Sequence, residues 1–415
     1  MRSDNHVHGA HALDEWLDRD RLLQLVESLE LPGYVLYLPH VRRQVAALRK
    51  ALGPRFTIYY AVKANPHRRL LETLAGLGVG ADVASLGELQ AALSAGMKPR
   101  NISFSGPGKT GEELSAALEH GIGAINVEGL EELDELIRLA ERLDRPAHIG
   151  LRINPGAGGA RGGLRMAGDT QFGIDESLVP AVVERLATAS ARWVRFAGLH
   201  VHAGSQILDP AVIVDHVRGV MDLALRLEHA GIPPMSRINF GGGWGVSYFS
   251  NQHPLDVTKV GSELAAMLAR PPYRDIAARA ELILEPGRWL VAEAGIYVAR
   301  VLYRKRSGRK EFAIVDGGMH HNYLLAGGMG QVIRRNFALI IIPPRGARRE
   351  PVDGLELDIA GRLCTPQDVL ATGVQVEREV LRGDYVVFLD CGAYGWTASP
   401  VDFLSHPRPA LHLIE

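Results

Sequence analysis

Between Phe56 and Leu284 the chain repeats one pattern. A short apolar segment rich in β-branched and aromatic residues is followed by a longer stretch with apolar residues at helical spacing. The short segments predict strands over Phe56–Val62, Gly80–Ala84, Asn101–Ser105, Ala124–Val127, His148–Ile153, Phe196–Val201, Arg237–Phe240 and Glu281–Leu284. The stretches between them predict helices over Arg68–Leu77, Leu86–Ala95, Gly111–His120, Leu130–Leu143, Leu178–Ala189, Val212–Ala230 and Val257–Ala278. Strands that are apolar on both faces suit a parallel sheet covered by helices. Eight of them in strict alternation with helices predict an α/β fold, a (β/α)8 barrel.

After Glu285 the pattern changes. Val298–Tyr303, Glu311–Val315, Leu355–Ala360 and Tyr385–Leu389 alternate or run apolar over short lengths between Gly and Pro clusters, which predicts an all-β C-terminal domain. A strand at Tyr34–Leu38 precedes the barrel and is expected to join that domain. The expected organisation is residues 1–39 as an N-terminal segment of the β domain, 40–290 as the barrel and 291–415 as the β domain. Gly317 to Pro351 is the least legible stretch and reads as loops with one or two strands.

The 415 residues suffice for two full cores, and the formal net charge of -1 with well-mixed signs gives no nucleic-acid or membrane-surface signature. No apolar run is long enough for a transmembrane helix, and the first residues lack the apolar core of a signal peptide. The 2 cysteines, Cys364 and Cys391, make no disulfide framework and suggest a reducing, cytoplasmic setting. His6, His8 and His11 suit a frayed polar terminus better than a metal site, and no metal is expected.

Polar residues gather at the predicted strand ends: Lys63, Asp82, Ser105, Asn126, Arg152 and Asn154, His202, Gly241 to Gly243, and Glu285. In a parallel barrel all of them face one end, the catalytic face. Lys63 closes the strand of YYAVKAN. A lysine buried there is driven toward the neutral amine, a nucleophile for a carbonyl. By itself it reads first as a lysine snorkelling from a strand end. Gly241-Gly242-Gly243 offers backbone amides to an anion, though a glycine run alone also makes tight turns. Gly204-Ser205 adds an amide and a hydroxyl, and Glu285-Pro286-Gly287-Arg288 adds a carboxylate and a forked donor suited to phosphate. An amine, an anion cradle, a carboxylate and the flat face of His202 together fit pyridoxal 5′-phosphate. A carboxylate at the pyridine nitrogen would keep that ring a strong electron sink.

The motifs YYAVKAN, GADVASLGEL, SFSGPGKT, LRINP, QFGI, GLHVHAGSQ, NFGGGWG, EPGR, VDGGM, LCTPQDVL and GAYG, in this order from Tyr34 to Pro409, resemble the fold-type III pyridoxal-phosphate decarboxylases. These are similar to ornithine and diaminopimelate decarboxylases and carry an alanine racemase-like barrel. The resemblance implies that Lys63 bonds the cofactor's aldehyde and that His202 stacks on its ring. It implies that Ser205, Gly243, Arg288 and Tyr394 hold the phosphate, with Gly241, Gly242, Gly287 and Asp82 also lining the cofactor. Glu285 would pair with the ring nitrogen, and Arg152 would orient Glu285. Cys364 would protonate the α-carbon from a second subunit, so a homodimer with shared sites is implied. Cys364, Thr365, Asp368 and Tyr394 would contact substrate. Cys391 reads as packing.

Departures from the family pattern narrow the substrate. Diaminopimelate and ornithine-type enzymes place an acid after the cysteine, whereas this chain has Thr365-Pro366. A free diamine-forming substrate is therefore disfavoured. Other stretches, among them VSYFSNQHPLDV and VDGGMHH, resemble a specialised branch. It includes siderophore-pathway decarboxylases of citryl-linked amino acids and a butirosin-pathway decarboxylase of a glutamyl group on acyl carrier protein. An open basic mouth near Arg334 and Arg335 would suit such a conjugate. A decarboxylase of free diaminopimelate, ornithine or lysine is the alternative. A racemase is disfavoured because racemases of this architecture set an arginine where Glu285 stands. A non-catalytic pyridoxal-phosphate carrier would need no second domain.

Overall fold

The computed structural model describes residues 19–154, 164–165, 169–190, 192–202, 204–329 and 334–415; His6, His8 and His11 lie outside them. The chain divides into two compact units, one of Arg42–Val246 with Pro254–Trp289, the other of Met1–Val41, Ser247–His253 and Leu290–Glu415.

The first unit is a closed parallel barrel of strands β1 (Phe56–Ala61), β2 (Gly80–Val83), β3 (Ile102–Phe104), β4 (Ala124–Val127), β5 (Ala147–Asn154), β6 (Val194–His200), β7 (Arg237–Asn239) and β8 (Glu281–Leu284). Each strand pairs with the next, and β8 closes on β1 through Leu282↔Phe56. The strands are buried almost throughout, as apolar runs flanked by helices require. The helices start where side chains cap them. Ser85 accepts from the Glu88 amide, Thr110 and Glu113 form a capping box, and Asp209 and Asp256 accept from Ala211 and Lys259. Between β6 and β7 the backbones approach so closely that a Cβ on Gly198 would overlap the Arg237 carbonyl.

The predicted helix over Val257–Ala278 is two helices, Val257–Leu268 and Tyr273–Ala277. Pro271 and Pro272 lie between them and cannot continue an α-helical ladder.

In the second unit Gly33–Tyr37 pairs antiparallel with Gly295–Ser307 and parallel with Ala410–Ile414. The strand order continues from Leu339–Ile342 through Tyr385–Phe388, Gly295–Ser307, Lys310–Val315 and Pro351–Ala360 to Val369–Arg378. Leu22 and Val26 of the helix Arg19–Ser28 pack with Val35, Ile296, Val298, Ile342, Val387 and Leu389 as a core. The strand Val369–Arg378 was not predicted. Its alternation is interrupted at Gly373, whose φ of 62° only glycine adopts freely, and resumes with Val374 and Val376 buried.

Candidate active site

The barrel mouth begins at Lys63. Strand β1 ends one residue earlier than predicted, and Val62–Ala64 forms a single 3-10 turn closed by Asn65 N–H to Val62 O at 3.0 Å. Val62 and Ala64 are buried while Lys63 is exposed. The expectation of a lysine buried at a strand end is therefore corrected: the turn lifts its side chain out of the strand. Asn65 holds the exit, taking the Tyr60 hydroxyl on its carbonyl at 3.0 Å and the His67 amide on Oδ1 at 3.1 Å. A Cβ on Gly287 would stand 3.0 Å from the Ala61 Cβ and 3.2 Å from that of Ala64, so the EPGR turn runs directly beside the lysine turn.

Glu285, immediately after β8, is buried. Its Oε2 lies 3.3 Å from His200 Nε2, and its Oε1 accepts from Asn239 Nδ2 at 2.5 Å. Asn239 Oδ1 in turn accepts the Gly241 amide at 2.9 Å, which fixes which end of the side chain faces the carboxylate. Burial pushes the Glu285 carboxyl up. His200, Asn239 and the Lys63 charge outweigh it and hold Glu285 below the usual carboxylate range. The Arg152 guanidinium, expected to orient Glu285, is engaged elsewhere: it pairs with Glu128 at 2.8 Å and lies 4.9 Å over the Phe172 ring. The reason is register. Arg152, His200 and Asn239 are side-by-side partners on β5, β6 and β7, and Arg152 is the one nearest β4, after which Glu128 stands.

The glycine loop follows β7. Gly242 N–H donates to His202 Nδ1 at 3.2 Å, which leaves the ring's proton on Nε2 and fixes the plane of the imidazole. Burial, then the charges of Lys63 and Arg152, push His202 well below the usual histidine range, so its half-buried ring is neutral. His216 Nε2 meets the Phe240 carbonyl at 2.8 Å and anchors the start of the loop. The Gly241 and Gly242 amides are thus already engaged, which corrects the picture of three amides offered to an anion. Among the described residues only the Gly243 N–H of the three lacks a partner. Side chains are excluded from this loop. A Cβ on Gly242 would overlap the Glu285 carbonyl, and one on Gly243 (φ 90°) would overlap that of Gly204. Ser205 adjoins Gly204, and Arg288 is the second residue of the short helix Gly287–Val291.

Across the mouth, Asp82 at the end of β2 is 4% exposed and accepts from Ser105 Oγ at 2.8 Å, which itself accepts from Asn126 Nδ2 at 3.0 Å. Burial, then the neighbouring Glu285 charge, push its carboxyl up to about 7. Beyond it stands Glu128, which carried no sequence expectation. Its Oε1 accepts from Arg152 and from Gly106 N–H at 2.6 Å, and its Oε2 accepts from Gly173 N–H at 3.1 Å. Lys109 meets the Gly106 and Asn126 carbonyls at 2.7 and 2.8 Å and Glu132 at 2.7 Å, so its buried ammonium has three acceptors. Glu128, His200, Asn239 and Lys109 were missed as functional side chains. The available signal for Glu128, His200 and Asn239 was their place at or just past strand ends, and for His200 its two-residue spacing from His202.

Cys364, Thr365, Asp368 and Tyr394 belong to the other unit. Cys364 is an exposed free thiol in a loop held by Asp368. Asp368 is 2% exposed, and its two oxygens accept the Met319 and Leu363 amides at 2.6 and 2.8 Å. It therefore tethers two loops rather than offering a carboxylate to substrate, which corrects the expected contact. Tyr394 is half-buried with a left-handed φ of 53°. Arg334 and Arg335, where an open basic mouth is expected, are exposed. Arg334 donates to the Val369 carbonyl, and Arg335 donates to Asn251 at 2.9 Å and lies 5.5 Å over Phe249. Arg345 pairs with Glu27, and Arg349 with the buried Asp384.

A cofactor with an aldehyde, a flat ring bearing a basic nitrogen, and a phosphate fits these residues. Lys63 offers an amine, His202 a neutral flat face and Glu285 a carboxylate. Beside Ser205 and Arg288 the glycine loop leaves a cradle that side chains would fill. Residues 38–292 match the model of the pyridoxal-dependent decarboxylase family's pyridoxal binding domain. The chain is 38% identical over 399 residues to the L-glutamyl-[BtrI acyl-carrier protein] decarboxylase of Niallia circulans, covering 95% of this chain and 91% of the relative. It is 34% identical over 382 residues to the Staphylococcus aureus 2-[(L-alanin-3-ylcarbamoyl)methyl]-2-hydroxybutanedioate decarboxylase, covering 91% and 92%. The structure of Helicobacter pylori diaminopimelate decarboxylase complexed with L-lysine superposes with a TM-score of 0.81 at 28% identity, covering 94% of this chain and 93% of that one. With a matched cofactor domain, relatives spanning nearly the whole length and a mouth whose donors suit the cofactor, this chain belongs to the fold-type III pyridoxal-phosphate-dependent decarboxylases.

Proposed function

We propose that the enzyme removes the α-carboxylate of an amino-acid group attached to a larger anionic partner, an acyl carrier protein or a citryl unit, rather than that of a free diamino acid. The observation that carries this is the Cys364 loop. Thr365 and Pro366 follow the cysteine, and the loop's one carboxylate, Asp368, is buried and taken by two backbone amides. A substrate tail ending in an ammonium would find no acidic partner there, and burying an unpaired charge is costly. The two relatives named above, whose names specify a carrier-linked and a citrate-like substrate, support the same reading.

Pyridoxal phosphate bound in the barrel mouth supplies an electron sink for the pair left on the α-carbon when carbon dioxide departs. In this proposal Lys63 holds the aldehyde carbon through its amine, and Glu285 keeps a proton on the ring nitrogen. His202 covers one face of the ring as a neutral imidazole. Gly243, Ser205, Arg288 and Tyr394 bind the phosphate, and Cys364 of a second copy delivers a proton to the α-carbon, so the working unit is a homodimer.

The test offers purified holoenzyme a glutamyl-loaded carrier protein, a citryl-linked diamino acid and free diaminopimelate, and measures carbon dioxide release. Release from either conjugate at a kcat/KM at least about tenfold above that for free diaminopimelate is expected, since tenfold corresponds to about 1.4 kcal/mol of discrimination. Equal or better turnover of free diaminopimelate overturns the substrate assignment.

A further inference from the structure

We propose that His200 is a positioning residue for the decarboxylation, acting with Asn239 to hold Glu285 ionised and in one plane for the cofactor's ring nitrogen. This rests on the reading that Glu285 faces that nitrogen. His200 and Asn239 are register partners on β6 and β7, so their side chains stand together, and Glu285 follows Leu284 on the next strand. All three are at most 4% exposed. Among the described residues His200 Nδ1 is buried without a hydrogen-bond partner, so the ring has one polar contact there, from Nε2 to Glu285 Oε2 at 3.3 Å. A buried imidazole with a single neighbour places its N–H where an acceptor waits.

Asn239 admits no other arrangement, because its Oδ1 is taken by the Gly241 amide and its Nδ2 therefore donates to Oε1. With the His200 proton on Nε2 both Glu285 oxygens accept, an arrangement that favours the carboxylate over the carboxylic acid, one of whose oxygens carries a hydrogen. The groups around Glu285 are His200, Asn239, the Lys63 amine and the Asp82 carboxyl. Asp82 repels a second negative charge, so donors are needed to keep Glu285 ionised. The chain from His200 through Glu285 and Asn239 ends on the glycine loop, so one hydrogen-bonded series ties the ring-nitrogen side of the cofactor site to its phosphate side.

The test loads wild-type, Glu285→Gln, His200→Leu and His200→Gln enzymes with pyridoxal phosphate labelled with ¹⁵N in the ring and records the ring-nitrogen resonance, cofactor content and turnover. Wild type should show a protonated nitrogen. Glu285→Gln should move the signal toward the unprotonated position; if it does not, the assignment of Glu285 fails, independently of His200. With that signal moved, His200→Leu should move it in the same direction and lower kcat about tenfold or more, with KM within about twofold. His200→Gln, which restores a donor, should recover both. If His200→Leu does not fold, His200→Asn, too short to reach Oε2, replaces it with the same expected shift. A ring nitrogen that stays protonated in the non-donating His200 variants while Glu285→Gln shifts it overturns the inference.

Discussion

The two arcs of the barrel mouth are built by different means. After β2 to β5 the loops are stitched by buried charges. Glu128 gathers Arg152, Gly106 and Gly173, and Lys109 ties Gly106 and Asn126 to Glu132. After β6 to β8 the work falls to glycine geometry and a hydrogen-bonded chain through His200, Glu285, Asn239 and Gly241. The contrast follows from what each arc faces. In the first arc Glu128 and Lys109 supply partners within the protein. On the proposed function the second arc receives ring and phosphate, which asks for room and donors; its backbone approaches closely and side chains are excluded.

The largest effect that could break this contrast is in the stitched arc. Glu128→Ala leaves Arg152 buried without its carboxylate. Breaking one side of such a pair should destabilise the protein by about 3–5 kcal/mol in denaturant unfolding. Loss of under about 1 kcal/mol would mean that Arg152 finds water or another partner, and that Glu128 does not organise the arc.

A smaller change in stability, with a larger change in cofactor retention, is expected from Gly242→Ala. The added methyl meets the Glu285 carbonyl and must push apart the two segments that flank the cofactor. Overpacking of this kind costs about 1–3 kcal/mol. Equilibrium dialysis should show pyridoxal phosphate bound at least about tenfold more weakly, because the displaced segments are the ones holding it. Unchanged affinity would show that the glycine loop tolerates a side chain and is no cradle.

The effect that is smallest at any one step of the measurement is one of pH. Asp82 is raised to about 7, so its contribution to stability is full below its unfolded value of about 4 and is lost as pH rises toward 7. Asp82→Asn removes that loss. Relative to wild type, the variant should gain stability as pH climbs from about 4 to about 7, by at most about 1.4 kcal/mol per pH unit. A constant difference across that window would show that Asp82 titrates normally.

Much of this was legible in the sequence, and the exceptions share a cause. The eight barrel strands follow from apolar runs, and Lys63, His202 and Glu285 follow from their positions at strand ends. Partnerships were not legible, because sequence order does not say which neighbour a side chain turns to. Arg152 pairs with Glu128 rather than Glu285 for reasons of strand register alone. Asp368 looked available because nothing local shows that the Met319 amide, far away in sequence, occupies it. Arg334 and Arg335, read as a basic mouth, likewise have acceptors distant in sequence, Val369 and Asn251. His200 was passed over because a histidine inside a strand reads as core until its acceptor is seen.

The central claim is that Lys63, raised on its own turn at the barrel mouth, is the residue that bonds the cofactor. Borohydride treatment of the holoenzyme, followed by proteolysis and mass mapping, tests it directly. One pyridoxyl adduct per chain on the peptide containing Lys63, with the yellow absorbance abolished, is the expected result. An adduct on any other lysine, or none on Lys63 in fully loaded enzyme, would contradict the assignment of this mouth as the cofactor site.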